Sequence, residues 1–211
     1  MRVVSGFAAA KQVLERRVSP AVGNTAVEQA VKAIIDEVLR GGDAALRHFT
    51  TKYDGVELTT IEVSKEEISA AREAVAPDLL AALEMAAERI RIYHETQRDS
   101  ILASVMTMQG RQLLRPLDRV GIYAPGGKAY YPSTVLMTAI PARVAGVGEV
   151  ILATPPGSDG KIPAPTLAAA AIAGVDRVFN IGGAQAIAAM AYGTASVPQV
   201  DKICGPGNIY V

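Results

Sequence analysis

Apolar residues in the first part of the chain recur at helical spacing. Val27, Ala30, Val31, Ile34, Ile35, Val38 and Leu39 fall on one side of a predicted helix from about Thr25 to Arg40. Thr25 and Glu28 have capping-box spacing at its start, and Gly41-Gly42 stops it. Asp43 is placed to cap a short helix that carries Leu46, Phe49 and Tyr53. An extended piece, Leu58 to Val63, follows. Ser64 and Glu67 repeat the capping-box pattern and open a helix to about Val75. Pro77 restarts the chain into a helix from Asp78 to about Gln97. Ile101–Met108 and Arg111–Pro116 then flank Gln109-Gly110, a pattern that predicts a β-hairpin.

Beyond residue 115 the rhythm changes. Strand candidates begin near Arg119, Glu149, Arg177 and Asp201, at intervals of roughly 25–30 residues, as right-handed βαβ units require. Helix candidates lie between them at Thr134–Ala145, Thr166–Ala173 and Ala184–Tyr192. The strands Val120-Gly121-Ile122-Tyr123, Val150-Ile151-Leu152-Ala153 and Val178-Phe179-Asn180-Ile181 are continuous apolar runs, which suits a parallel sheet covered on both faces. Pro141 is expected to kink or shorten its helix. The fold class is therefore α/β: a Rossmann-like parallel sheet with flanking helices over 116–211, preceded over 1–115 by a helix-rich region with a hairpin. The sheet domain is expected to be incomplete, because Lys202-Ile203-Cys204 and Gly205-Pro206-Gly207-Asn208 lead to Val211 and not to a helix. Apolar surface near Ile209 to Val211 would then call for a partner, so dimers, strand exchange or aggregation are expected.

Composition narrows the function. Half of the 211 residues are hydrophobic, 20% are charged and 5% are aromatic, which excludes a disordered chain. Lys+Arg and Asp+Glu number 21 each, so bulk charge gives no footprint for nucleic acid. No uncharged apolar run reaches the length of about 18 residues that a membrane helix needs. Met1 to Arg17 carries Arg2, Lys11, Arg16 and Arg17 but no apolar segment with a cleavage site, and Glu15 argues against a transit peptide. The single Cys204 has no partner for an internal disulfide. A reducing, cytoplasmic setting is the expectation.

Candidate chemistry gathers at the strand ends. Ala124-Pro125-Gly126-Gly127, Thr154-Pro155-Pro156-Gly157, Gly182-Gly183-Ala184-Gln185 and Gly205-Pro206-Gly207-Asn208 all follow predicted strands. In an open parallel sheet, ligands bind outside the carboxyl ends of the strands. Glycine there lets backbone N–H groups approach a phosphate, although Gly and Pro also mark ordinary βα turns. The G-x-G-x-x-G fingerprint is absent, and no acidic residue sits in the expected place, at the end of the next strand about 20 residues past the first βα turn. Gln185 is placed either to hydrogen-bond a ligand or to cap its own helix. Asn208 suits a left-handed turn or can present its amide to a ligand. Tyr123 can stack on a ring or simply bury its edge. Ser133 and Thr134 read first as helix N-caps. Cys204 reads as a buried small residue ahead of a nucleophile. His48 and His94 read as helix-surface residues, and their separation from Cys204 gives no zinc-ligand spacing. The adjacent Glu66 and Glu67 point different ways, and no acid–base pair can be assembled.

Several long strings resemble the histidinol dehydrogenase family. They are Arg115-Pro116-Leu117-Asp118-Arg119-Val120-Gly121-Ile122-Tyr123-Ala124-Pro125-Gly126-Gly127, Pro132-Ser133-Thr134-Val135-Leu136-Met137, the stretch from Val178 to Ala189, and the stretch from Val200 to Asn208. Gly41-Gly42-Asp43-Ala44 and Lys52-Tyr53-Asp54-Gly55 also fit, more loosely. The resemblance implies a homodimeric, zinc- and NAD-dependent enzyme of histidine biosynthesis with Rossmann-like domains. Such an enzyme oxidises L-histidinol through the aldehyde to L-histidine with two NAD molecules. By motif, NAD contacts carry over to Tyr123, Gln185 and Asn208, and Ser133 matches a position near the substrate.

Family members run to roughly twice this length. The zinc ligands and the Glu-His acid–base pair that the resemblance calls for lie beyond the Gly-Pro-Gly-Asn motif, so this chain offers no metal or catalytic residue. It is expected to be part of the enzyme and inactive alone. A different class of reading is a stand-alone, non-catalytic nucleotide-binding domain. A further one is aldehyde oxidation through the Cys204 thiol.

Overall fold

The computed structural model describes residues 5–7, 25–107, 112–126 and 130–211. Eleven elements follow one another among them. They are α1 (Thr25–Asp54), β1 (Glu62–Val63), α2 (Lys65–Ala70), α3 (Pro77–Thr107), β2 (Arg119–Tyr123), α4 (Pro132–Val144), β3 (Glu149–Thr154), α5 (Ala164–Ala173), β4 (Arg177–Asn180), α6 (Gly183–Tyr192) and β5 (Lys202–Cys204). The strands form one sheet in the order β1-β4-β3-β2-β5. All pairings are parallel except the short edge pairing of β1 with β4.

Strand side chains alternate between two packed layers. Val120, Ile122, Val150, Leu152 and Val178 point into the layer built with α2, α3, α4 and α5. Tyr123, Ile151, Ala153 and Phe179 point the other way, against α1 and α6. Both faces are covered, which is why β2, β3 and β4 read as continuous apolar runs and not as alternating ones. The strand and helix expectations for 116–211 agree with the observed elements to within a few residues.

The first half contains two confirmations and two corrections. Gly42, at φ 52° and ψ −131°, breaks α1 into two arms where Gly41-Gly42 was expected to stop it. Ser64 accepts a hydrogen bond from the Glu67 backbone N–H at 3.1 Å, as its capping pattern predicts. Asp43, however, is not spent on a helix cap. Its carboxylate accepts from the Ser196 backbone N–H at 3.2 Å and from the Ser196 hydroxyl at 2.6 Å. Burial alone would raise the Asp43 carboxyl, but the bonds from Ser196 and Thr194 and the nearby Arg47 hold it below its ordinary value.

The hairpin expectation fails over its first arm. Residues 101–107 complete α3, and 112–117 form no strand. Met108, Gln109, Gly110 and Arg111 lie outside the described residues. Ile101 and Leu102 are 49% and 44% exposed, so no sheet face draws them into extended pairing. The helix satisfies its own backbone, and the Ser100 hydroxyl donates back to the Thr96 carbonyl at 2.8 Å. Among the described residues, no helix is long and apolar enough to cross a membrane.

Candidate functional site

The chain winds from β2 through α4 to β3, and from β3 through α5 to β4, with both helices in the same layer. It then returns across the sheet through α6, in the other layer, to place β5 on the far side of β2. The strand order therefore reverses between β2 and β5. In doubly wound sheets the ligand crevice lies at that point, outside the carboxyl ends.

A cavity of about 560 Å³ opens there. Its floor is Tyr123, Pro125 and Gly126 after β2, with Pro155 after β3. The first turn of α6 (Gly183, Ala184 and Gln185) forms one wall, and Asn208 and Tyr210 after β5 form another. Both arms of α1 roof it, through Ala30 and Ile34 and through Tyr53 and Asp54. Tyr123, Gln185 and Asn208, far apart in sequence, thus share one cavity.

Glycine is required where these turns crowd. A Cβ on Gly205 would overlap the Tyr123 carbonyl, so β5 leaves the sheet flush against β2 only because the residue is glycine. Gly183 opens α6 at φ 63°, and a Cβ there would stand 2.8 Å from the Gln185 side-chain oxygen.

Tyr123 is only 5% exposed. Its phenol oxygen accepts a hydrogen bond from the Gly183 backbone N–H at 3.0 Å, tying the end of β2 to the start of α6. Burial pushes this phenol up, the Gly183 bond partly offsets that, and the nearby Asp54 charge adds to the rise. Gln185 is 2% exposed. No side chain caps α6, and no hydrogen bond engages the Gln185 amide among the described residues, so the capping role is not the one it plays. Asn208 is exposed, and its side-chain oxygen accepts from the Tyr210 backbone N–H at 2.9 Å. Among the described residues no non-glycine residue has positive φ, so the turn role of Asn208 is this side-chain bond and not a left-handed backbone.

Ser133 stands exposed in the first turn of α4 and does not line the cavity. Neither it nor Thr134 caps the helix. The cap position is Tyr131, because Pro132 occupies the first turn, where its missing N–H costs nothing. Cys204 is partly buried against the core and is not a lining residue, which removes support from the thiol reading. His48 lies on exposed helix surface, 4.0 Å from Glu37, whereas His94 is half-buried on α3, 3.0 Å from the Gln97 side-chain oxygen. Among the described residues no group of three or more His, Cys, Asp or Glu side chains stands together as metal ligands would. A second cavity, about 730 Å³ and largely apolar, lies by the amino ends of the strands between α3 and the last turn of α4.

Sequence reasoning missed Asp54, Tyr53 and Tyr210. Asp54 has a buried carboxylate oxygen with no hydrogen-bond partner among the described residues, and burial pushes its carboxyl up to about 6. The available signal was the string Lys52-Tyr53-Asp54-Gly55, which sits at the end of a helix from the other half of the chain.

Comparison with known proteins agrees with this geometry. The family described as Histidinol dehydrogenase matches residues 18–211. The chain is 52% identical to a histidinol dehydrogenase of Dehalococcoides mccartyi over 225 aligned positions, covering 100% of this chain and 51% of that protein. It is 51% identical to a histidinol dehydrogenase of Methanosarcina mazei, covering 94% of this chain and 46% of that one. Its fold is similar to the crystal structure of histidinol dehydrogenase from Elizabethkingia anophelis, with a TM-score of 0.84 at 33% identity, over 100% of this chain and 48% of that chain. The chain spans about half the length of the curated relatives it matches.

Proposed function

The chain belongs to the histidinol dehydrogenase family, and from that premise we propose that it supplies one wall of the NAD site of an enzyme that oxidises L-histidinol to L-histidine in two steps. The observation that carries this reading is the convergence of Tyr123, Gln185 and Asn208 on one cavity at the switch point of the sheet. In this reading α1 acts as the roof, and the lining residues from the Rossmann-like region act as the floor and walls.

The residues present fit a nicotinamide nucleotide. The cavity has three apolar or aromatic faces, from Pro125, Pro155 and Tyr53, against which a flat ring can lie. The first turn of α6 has N–H groups without helical partners, the arrangement that favours a phosphate. Gln185 brings a buried, unengaged amide, and the Asn208 amide nitrogen faces no competing partner among the described residues. NAD, when bound, supplies the hydride acceptor for oxidation of the alcohol and then of the aldehyde. Tyr123 holds the Gly183 N–H and keeps the α6 turn in place; Gln185 and Asn208 orient the nucleotide; the α1 roof excludes water. The zinc that the family implies finds no matching donor set among the described residues. Homodimer assembly and a cytoplasmic setting belong to the same proposal.

Calorimetric titration of the chain with NAD tests the binding role. A saturable heat that falls about tenfold in affinity on Gln185→Ala supports it, and no binding contradicts it. The chain alone, with L-histidinol, NAD and zinc, is expected to show no turnover. Turnover would show that its own residues complete the reaction. Tight NAD binding by a stable monomer that never catalyses would favour a stand-alone nucleotide-binding domain.

A further inference from the structure

Asp54 is the only Asp, Glu, Lys, Arg or His among the described lining residues of the cavity, and the roles assigned above do not use it. It closes α1, after which Gly55, at φ 71°, turns the chain away. One of its carboxylate oxygens is buried without a hydrogen-bond partner among the described residues. No cation from those residues lines the same cavity to neutralise it. Burial alone accounts for the raised carboxyl, since no partner opposes it.

An unmet buried acceptor is costly, and a ligand that brings an O–H or N–H donor removes that cost. A ligand that brings negative charge to the same point meets repulsion and leaves the oxygen unmet. Doubly wound nucleotide sites commonly keep an acidic residue for the ribose at the end of the second strand. That place here is Thr154-Pro155-Pro156-Gly157, with no acid, and Pro155 from it shares the cavity with Asp54. The α1 roof thus delivers from the other half of the chain the carboxylate that the sheet lacks.

We propose that Asp54 accepts hydrogen bonds from the hydroxyls of the nucleotide ribose and selects the unphosphorylated dinucleotide over its 2′-phosphorylated form. This rests on the dinucleotide reading of the cavity. Asp54 is a specificity-determining residue in this account, because its carboxylate both satisfies the diol and repels a phosphate at the same carbon.

The test is calorimetric titration of the full chain and of its Asp54→Asn and Gln185→Ala variants with NAD and with NADP, with a thermal melt of each to establish folding. The parent chain is expected to bind NAD at least tenfold more tightly than NADP. Asp54→Asn should weaken NAD by about tenfold and bring the NAD-to-NADP ratio close to one. Gln185→Ala should weaken both dinucleotides and leave their ratio unchanged. If NAD binds and Asp54→Asn alters neither its affinity nor the ratio, the ribose role is wrong while the dinucleotide reading stands. If the parent chain binds neither dinucleotide, both fall together.

Discussion

The two ends of the sheet are built for different purposes. At the amino ends of the strands, charges are engaged. Arg143 pairs with Asp176 and donates to the carbonyls of Gly174, Val147 and Gly148. Asp176 in turn accepts from the Val150 backbone N–H at 2.7 Å. Arg119 pairs with Glu149 at 2.5 Å, and Asp201 accepts from the Arg119 backbone N–H at 2.9 Å. At the carboxyl ends the chain is rich in Gly and Pro, and polar atoms are left waiting. Asp54 and Asn180 keep buried oxygens without partners there; the third such atom among the described residues is the Thr50 hydroxyl within α1. One edge secures the fold, and the other holds unmet hydrogen-bonding capacity that a ligand can use.

The sharpest way to break this contrast is to damage the engaged edge. Arg143→Ala should cost about 2–3 kcal/mol of stability, because it leaves Asp176 and several carbonyls without their donor. Urea denaturation measures it, and NAD affinity of the folded protein should not change. A loss under about 0.5 kcal/mol would mean that the amino edge does not secure the fold.

The opposite edge should behave the other way. Gln185→Ala should cost less stability than Arg143→Ala, about 1 kcal/mol, because it removes buried packing but no hydrogen bond among the described residues, while lowering NAD affinity about tenfold, by melts and titration on the same sample. A large stability loss with unchanged affinity would reverse the assignment of the two edges.

Asp54 gives a pH-dependent form of the same contrast. Its folded carboxyl titrates near 6, above the ordinary 3.8. The folded state therefore binds this proton more tightly than the unfolded chain. The stability penalty is absent below about pH 4, grows as pH rises towards 6 and is complete above it. Asp54→Asn should raise stability on the order of 1 kcal/mol at pH 7.5, with the gain gone near pH 4. Denaturation curves at the two pH values measure it, and an equal effect at both would show that burial of the charge is not the cause. The smallest expected effect is that of Ser133→Ala, which should move neither stability nor NAD affinity measurably, since Ser133 is exposed and does not line the cavity.

What the sequence disclosed follows the same division. The βα units were legible because burial on both faces writes each strand as an unbroken apolar run and each turn as Gly and Pro. Tyr123, Gln185 and Asn208 were legible as strand-end residues because sheet topology brings carboxyl ends together. Ile101 and Leu102 misled because apolar residues on an exposed helix carry no sign that they lack a sheet partner. Ser133 misled because Pro132 takes the first helical position and puts the cap at Tyr131, two positions earlier. Asp54 was hidden for a different reason: its role depends on how α1 crosses the sheet, and no local pattern encodes that crossing.

Hydrogen–deuterium exchange of the chain with and without saturating NAD tests the central claim most directly. Protection should appear in the first turn of α6 and in the Gly205–Asn208 turn, with the amino ends of the strands unchanged. Protection confined to the larger cavity around His94 and Pro116, or no protection at saturation, would contradict it.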